Sequence, residues 1–240
     1  GLNDDDATAI RTNSLNNDTP GRIPQIEFLK KYQPTMAMIS IGGNDVEFAN
    51  TINKCVTSSC MAGNGGKALK TKTLSSIFNI YDDLVKLYKK LHDESPDTRL
   101  FAVGYPSFIS DDDNAKCPAN ASFNREERIF IKQSLVYLND VIEAAAKKAG
   151  VTYIDIEGSI AGHEMCRTNK SSPNYMNGIL YGNDIEVANL KVIAQETFHP
   201  KAVGYEAIAK HIDQNYNELI TYKNPACPNE PTGYCTGQGT

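Results

Sequence analysis

Two short motifs in the sequence combine residue types that catalysis uses. The first is residues 41–45, Ile-Gly-Gly-Asn-Asp, in which Gly42 and Gly43 let the backbone approach a ligand closely. The amide of Asn44 can donate a hydrogen bond to a developing negative charge. The motif follows a strand-like apolar segment, where ligand crevices of open α/β sheets lie. Gly-Gly-Asn-Asp is also ordinary turn chemistry, so this motif alone does not define a site.

The second motif is residues 196–200, Glu-Thr-Phe-His-Pro, which places His199 immediately before a predicted helix. The positive end of the helix dipole disfavours a protonated imidazole, so His199 should be neutral and able to accept a proton. The ring could be oriented by Glu196, three residues upstream, or by a backbone carbonyl. A single histidine at a helix start is usually a surface or capping residue, but the presence of both motifs favours a catalytic pair.

Three apolar segments predict the strands that would position these motifs. Residues 35–41 (TMAMISI), 99–104 (RLFAVG) and 151–156 (VTYIDI) are strand-length and almost continuously apolar. That pattern is typical of strands covered on both faces, as in a parallel sheet.

Amphipathic helices are predicted between the strands. Over residues 73–92 the apolar stripe consists of Leu74, Ile77, Tyr81, Leu84, Tyr88 and Leu91. Over residues 124–149 it consists of Ile131, Leu135, Leu138, Ile142 and Ala145. Asn124 and Glu127 predict a capping box for the second helix, and Gly150 a left-handed residue after its end. Alternating strands and helices predict an α/β fold with right-handed crossovers.

The rest of the chain is predicted to be less regular. Residues 157–198 show no clean period and read as a long functional loop. A last helix should run from Pro200 to about Tyr216, and its inward residues would be Val203, Ala207, Ile208 and Ile212. We expect one principal domain over residues 1–222, followed by a disulfide-pinned extension over residues 223–240.

Cysteine number and charge narrow the class of protein. The six cysteines lack a C-x-x-C pair, which favours disulfides and an extracellular or periplasmic home over a zinc site. Cys55 with Cys60 and Cys227 with Cys235 would close short loops and leave Cys117 with Cys166, although sequence alone leaves other pairings open. The net charge of −5 argues against nucleic-acid or anionic-membrane partners. No apolar run is long enough to cross a bilayer.

Together these motifs resemble the SGNH (GDSL-like) hydrolase family, specifically its secreted, disulfide-containing bacterial esterase and lipase branch. The resemblance runs almost end to end. Its blocks are Pro24-Gln25-Ile26, Gly42-Gly43-Asn44-Asp45-Val46, Cys55 and Cys60, Gly104-Tyr105-Pro106, Leu138-Asn139, Gly162-His163-Glu164-Met165-Cys166 and Phe198-His199-Pro200. It implies a three-layer α/β/α, flavodoxin-like fold and supports the three disulfides above. It also implies a hydrolase of lipid, short-chain or carbohydrate esters that needs no metal or cofactor.

The resemblance assigns roles to single residues. It implies that His199 is the general base and that Asn44 donates to the oxyanion, with Gly43 beside it. Glu196 stands where the family usually has aspartate, and Gly1 stands at about the spacing of a second oxyanion donor. His163 reads as a structural residue, with a place in the acyl or alcohol pocket as the alternative.

One family block is missing from this sequence. The Gly-Asp-Ser segment that bears the nucleophile is absent from the 41 residues before Gly42. We therefore expect an N-terminally incomplete domain, in which a preceding segment or another chain pairs beside residues 35–41 and supplies the serine. The alternative is a non-catalytic binding or structural module on the same scaffold.

Overall fold

The structure is a computed structural model that describes residues 25–117, 123–167, 172–178, 181–187, 190–193 and 197–220. Five residues named in the sequence analysis, Gly1, Pro24, Glu196, Cys227 and Cys235, lie outside the described residues, as does the predicted extension over 223–240.

Strands and helices alternate over much of the described chain. In chain order the elements are α1 (Gln25–Tyr32), β1 (Met36–Ile39), α2 (Phe48–Thr57), α3 (Gly63–Asn79), α4 (Tyr81–Glu94), β2 (Arg99–Val103), α5 (Arg125–Ala149), β3 (Thr152–Ile154), β4 (Tyr181–Val187), β5 (Leu190–Ile193) and α6 (Ala202–Ile220). Strands β1, β2 and β3 form a parallel sheet in that order. The predicted strands and their parallel pairing are confirmed.

Helices cover both faces of this sheet. Leu100 and Ala102 of β2 belong to the larger core, which contains side chains of α1 to α5. The alternate residues Phe101 and Val103 belong to a second core, against which α6 packs through Ile208, Ile212 and Tyr216. Because successive side chains of a strand point to opposite faces, this division defines the predicted three-layer α/β/α arrangement.

Helix α5 forms as its end signals predict. The Asn124 side chain accepts from the Glu127 N–H at 3.0 Å, and the Glu127 carboxylate accepts from the Asn124 N–H at 2.9 Å. At the other end Gly150 adopts φ 75°, a left-handed conformation that costs glycine little. All of the predicted stripe residues are buried: Ile131, Leu135, Leu138, Ile142 and Ala145.

The helix predicted over residues 73–92 is wrong in its extent. Two helices occupy this region, α3 and α4, and they are separated by Ile80 alone. Ile80 is buried, and its side chain lies against the backbone of Gly42, as does that of Leu84. The apolar spacing continues across the break, so periodicity could not reveal it.

Helix α6 also differs from its prediction. It begins at Ala202 and ends at Ile220, and Pro200 lies outside it in an isolated antiparallel bridge with Met176. Val203, expected to face inward, is 43% exposed, and Gly204 is buried in its place. A Cβ atom at Gly204 would lie 2.6 Å from the Tyr175 carbonyl oxygen, so the helix meets this segment through a glycine.

Regular structure also appears where the sequence predicted none. Strands β4 and β5 form an antiparallel pair inside the predicted loop over residues 157–198. Helices α1 and α2 were not predicted either. Among the described residues, no helix combines the length and apolar character that a bilayer-spanning segment requires.

Strand β1 is less buried than its sequence predicts. Ala37 and Ile39 pack on the larger core and Met36 on the second one. Met38 is 40% exposed, so full coverage of both faces is wrong for this strand. Within the described part of the chain β1 pairs only with β2, which leaves its other edge open.

Two disulfides lie within the described residues, and both are pairs that the sequence analysis favoured. Cys55–Cys60 spans a sequence separation of 5 between α2 and α3. Cys117–Cys166 spans 49 residues and joins the segment after β2 to the segment after β3.

Candidate active site

Residues 40–47, here called the Asn44 loop, form a tight turn between β1 and α2 at the carboxyl edge of the sheet. Gly42 has φ +112°, a conformation that only glycine adopts readily, and its carbonyl accepts from the Val46 N–H at 3.2 Å. The Gly43 carbonyl accepts from the Phe48 N–H at 3.1 Å at the start of α2. These hydrogen bonds fix the backbone on both sides of Asn44. Asn44 itself is exposed.

Two groups from other segments, the Tyr105 hydroxyl and the Lys72 ammonium, also hold this loop. The Gly43 N–H donates to the Tyr105 hydroxyl at 3.1 Å, so this amide is directed into the protein. Glu47 has φ 52°, which is unusual for a residue with a side chain. Its carboxylate accepts from Lys72 Nζ of α3 at 3.0 Å, and this hydrogen bond holds the pKa of Glu47 below its ordinary value.

His199 lies on an exposed turn ahead of α6. Its Nδ1 atom is 3.2 Å from the Thr197 carbonyl oxygen. If Nδ1 carries the proton, the ring donates to this carbonyl and Nε2 is left as an acceptor. Phe198 has φ 61°, so left-handed non-glycine residues stand next to both predicted site segments. Strained backbone of this kind is concentrated at functional sites.

A short backbone ladder holds the His199 turn. The Asn177 N–H donates to the His199 carbonyl at 2.9 Å, and the Lys201 N–H donates to the Tyr175 carbonyl at 2.8 Å. Lys201 Nζ adds a bond to the Asn174 carbonyl at 2.9 Å. Residues 174–177 therefore support both sides of the histidine.

His163 stands behind this ladder. Its ring stacks on the Tyr175 ring with centroids 3.8 Å apart and planes inclined by 7°. Its Nδ1 lies 2.8 Å from the Pro173 carbonyl oxygen, and its own carbonyl accepts from the Tyr175 N–H at 3.0 Å. These contacts favour the structural interpretation of His163 over a pocket-lining one.

Aromatic rings connect the two predicted site segments. Phe198, next to His199, lies 6.2 Å from Phe108 and 5.9 Å from Phe123, measured between ring centroids. Phe108 in turn meets Phe48 edge-on at 6.5 Å. The Phe48 N–H donates to the Gly43 carbonyl, so this aromatic cluster of Phe48, Phe108, Phe123 and Phe198 connects the Asn44 loop to the His199 turn.

Sequence reasoning missed the residues that support the site. Tyr105 and Asn139 were noted as parts of family-like blocks without a role, and Thr197 received none. Arg128 was not noted, although it is 3% exposed and donates to the carbonyls of Ser110, Phe123 and Asp112. The position of Tyr105 after the second strand could have revealed it, because parallel strands end at one edge.

The combination of this fold with a glycine-asparagine loop and a histidine turn defines a class of protein. The chain belongs to the GDSL-like lipase/acylhydrolase family, whose model matches residues 3–207. The resemblance expected from the sequence is thereby confirmed.

Relatives of the chain include lipases of Streptomyces coelicolor. It is 25% identical over 198 residues to Lipase 2 and 27% identical over 172 residues to Lipase 1, both from Streptomyces coelicolor. These alignments cover 80% and 70% of this chain but 63% and 55% of the relatives. The chain thus spans less than two thirds of the length of these curated relatives.

Two solved structures share the fold. A phospholipase A1 from Streptomyces albidoflavus aligns with a TM-score of 0.60 and 22% identity, over 75% of this chain and 68% of its own. An extracellular lipase from Streptomyces rimosus aligns with a TM-score of 0.54 and 22% identity, over 73% of this chain and 68% of its own. The flavodoxin-like α/β assignment is consistent with both.

Proposed function

We propose that this chain contributes the general base and an oxyanion donor to a secreted serine ester hydrolase. His199 Nε2 takes the proton of a serine hydroxyl as that oxygen attacks the ester carbonyl carbon. Asn44 donates to the carbonyl oxygen as it becomes negative. His199 then returns the proton to the departing alcohol, and water releases the acyl group by the same steps in a second half-reaction.

The observation that carries this proposal is the setting of the His199 ring. The Thr197 carbonyl oxygen lies 3.2 Å from Nδ1, and the residue itself is exposed. The neighbouring Phe198 contacts Phe108, which contacts Phe48 at the end of the Asn44 loop. This supports orientation of the base by a backbone carbonyl, one of the two alternatives left open by the sequence. Glu196, the other candidate, lies outside the described residues.

The serine is proposed to come from polypeptide outside this sequence. Among the described residues one edge of β1 has no partner strand, and this edge and the 40% exposure of Met38 support a further strand beside β1. Unpaired, apolar strand edges promote association, so proteins normally cover them. Such a strand would end at the same edge as β1, next to Asn44, where a nucleophile is needed.

Secretion and substrate class are part of the same proposal. The two disulfides suit an oxidising compartment, and one relative is described as an extracellular lipase. Lipases and a phospholipase A1 among the relatives support a carboxylic ester, with a fatty-acyl ester as the first candidate.

Labelling with a fluorescent fluorophosphonate tests the proposal. The probe should be applied to the full-length natural polypeptide that contains this sequence, with or without any separate chain that copurifies. Labelling and hydrolysis of a short-chain nitrophenyl ester should both fall by at least about 10³-fold in His199→Ala. His211→Ala is the matched control, because His211 belongs to neither of the two predicted site segments. It lies on α6, with its Nε2 atom 3.1 Å from the Asp155 carbonyl oxygen.

Each outcome discriminates between hypotheses. A labelled band that disappears only in His199→Ala supports the proposal and shows by its mass which polypeptide bears the serine. Equal labelling in both variants would exclude His199 as the base. No labelling of folded protein would favour a non-catalytic module.

A further inference from the structure

The hydroxyl group of Tyr105 is built into the underside of the Asn44 loop. It accepts the Gly43 N–H at 3.1 Å, and a Cβ atom added to Gly43 would lie only 3.0 Å from the hydroxyl oxygen. Residue 43 must therefore be small for the ring to approach this closely. The contact holds the peptide unit between Gly42 and Gly43, one unit before the Gly43–Asn44 peptide.

Tyr105 is itself held in place by one buried side chain. Its backbone N–H donates to Asn139 Oδ1 at 2.8 Å, and its carbonyl accepts from Asn139 Nδ2 at 2.9 Å. Asn139 is 4% exposed and lies within α5, the helix with a capping box at its start. Both backbone groups of Tyr105 are thus hydrogen-bonded to a side chain of α5, and this fixes the point from which the Tyr105 ring extends towards Gly43.

The phenol is suited to accept rather than to ionise. Burial raises the pKa of Tyr105, while hydrogen bonds from the Gly43 N–H and the Ser40 side chain lower it in part. The net direction is upward, so the ring stays neutral at ordinary pH. A neutral hydroxyl oxygen that accepts the Gly43 N–H from inside the protein is a fixed structural support.

We propose that Tyr105 is a positioning residue that holds the side-chain amide of Asn44 where it can donate to the developing oxyanion. Asn139 of α5 in turn holds Tyr105 in place. This inference rests on the proposed function of Asn44. Oxyanion donors act because they are placed before the reaction, and a displacement near 1 Å can cost about 100-fold in rate. Without the hydroxyl, the Gly43 N–H loses its hydrogen-bond acceptor. The backbone before Asn44 is then free to move, and the side chain of Asn44 moves with it.

The test compares Tyr105→Phe with Tyr88→Phe in the full-length natural polypeptide. Tyr88 is the control because it is a buried tyrosine whose hydroxyl has no hydrogen-bond partner among the described residues. Tyr105→Phe should lower kcat by about 10- to 100-fold with KM changed less than about twofold. Tyr88→Phe should leave both constants unchanged.

Two further measurements separate positioning from a general structural role. Amide exchange of Gly43, followed by NMR with glycine-selective labelling, should accelerate in Tyr105→Phe and not in Tyr88→Phe. In an Asn44→Ala background, Tyr105→Phe should cause little additional loss of kcat, because the group through which it acts is gone.

The outcomes are distinguishable from failure of the proposed function. Unchanged Gly43 exchange, or multiplicative effects of Tyr105→Phe and Asn44→Ala on kcat, would overturn the positioning role alone. Full activity of Asn44→Ala would overturn the oxyanion assignment on which it rests.

Discussion

At the scale of single residues, the proposed reactive groups and their supports differ in exposure. Asn44 and His199 are exposed, whereas Asn139 and Arg128 are buried and hydrogen-bonded to backbone groups. Exposed polar side chains contribute little to folding, while loss of a buried partner leaves its bonded groups unsatisfied. Substitutions should therefore separate cleanly into those that change rate and those that change stability.

Asn44→Ala belongs to the first kind. Loss of one oxyanion donor should lower kcat by about 10²- to 10³-fold. The midpoint of thermal unfolding should stay within a few degrees of the wild type, because the side chain is exposed. Steady-state kinetics and a thermal melt on the full-length natural polypeptide check this, with Asn50→Ala on α2 as an exposed asparagine control. A large fall in the melting temperature would instead assign Asn44 a structural role.

The Asp111–Lys132 pair gives a prediction about pH. A hydrogen bond from Lys132 Nζ at 2.6 Å holds the pKa of Asp111 below its ordinary value. A depressed carboxyl pKa stabilises the fold above the unfolded-state value, and this contribution is lost as pH falls through the folded-state value. Lys132→Met should therefore raise the pKa of Asp111, and its stability deficit should disappear in acid.

Carboxyl-carbon NMR titration measures this shift, and urea unfolding at several pH values measures the deficit. Lys148→Met on the same helix is the control and should leave the Asp111 titration unchanged. A deficit that grows as the pH falls would contradict the assignment.

At the scale of elements, α5 connects most of the parts that surround the site. The Glu127 carboxylate accepts from the Cys60 N–H at 3.0 Å, in addition to capping the helix. Arg128 holds the segments of Phe123 and Ser110, and Asn139 holds Tyr105. One helix thereby fixes the segment near the first disulfide, part of the aromatic cluster and the brace of the Asn44 loop.

Arg128→Met should be strongly destabilising. It leaves carbonyls of three residues without a donor and removes packing around a buried side chain. We expect a loss of about 3 kcal/mol in the free energy of unfolding, measured with urea. Arg125 lies one helical turn before Arg128 and forms an exposed ion pair with Asp113. Arg125→Met breaks this pair and should cost less than about 1 kcal/mol. Similar losses in both variants would show that the carbonyl contacts contribute little.

Elements with local signals were predictable and those determined by tertiary contact were not. The capping residues of α5 lie within three positions of each other, so its start could be found from sequence. Ile80, at the break, lies against Gly42, and Pro200, before the delayed start of α6, pairs with Met176. Neither partner is near in sequence, and periodicity carries no information about it.

The candidate site was predictable to a similar degree. Asn44 and His199 stand in motifs whose residue types suggest chemistry directly. Tyr105 and Arg128 act through a hydroxyl and a guanidinium that bond to backbone amides or carbonyls of distant segments, and backbone groups leave no trace in sequence. The position of the nucleophile stays a prediction.

At the scale of the whole molecule, the two described disulfides should contribute unequally. Cross-links stabilise in proportion to the logarithm of the loop that they close, which gives about 4 kcal/mol for a separation of 49 and about 2 kcal/mol for one of 5. Replacing Cys117 and Cys166 by serine should therefore lower the urea midpoint more than replacing Cys55 and Cys60. The reverse order would indicate that native contacts, and not chain entropy, dominate.

The bond from the Asn177 N–H to the His199 carbonyl closes the excursion that contains β4 and β5. Both ends of that excursion are clamped, so its length is free to vary during evolution without moving the histidine. Doubling a flexible loop costs only about 0.6 kcal/mol in closure entropy. Insertions between β4 and β5 should therefore be tolerated, and descendants of this sequence can differ in length there without moving His199.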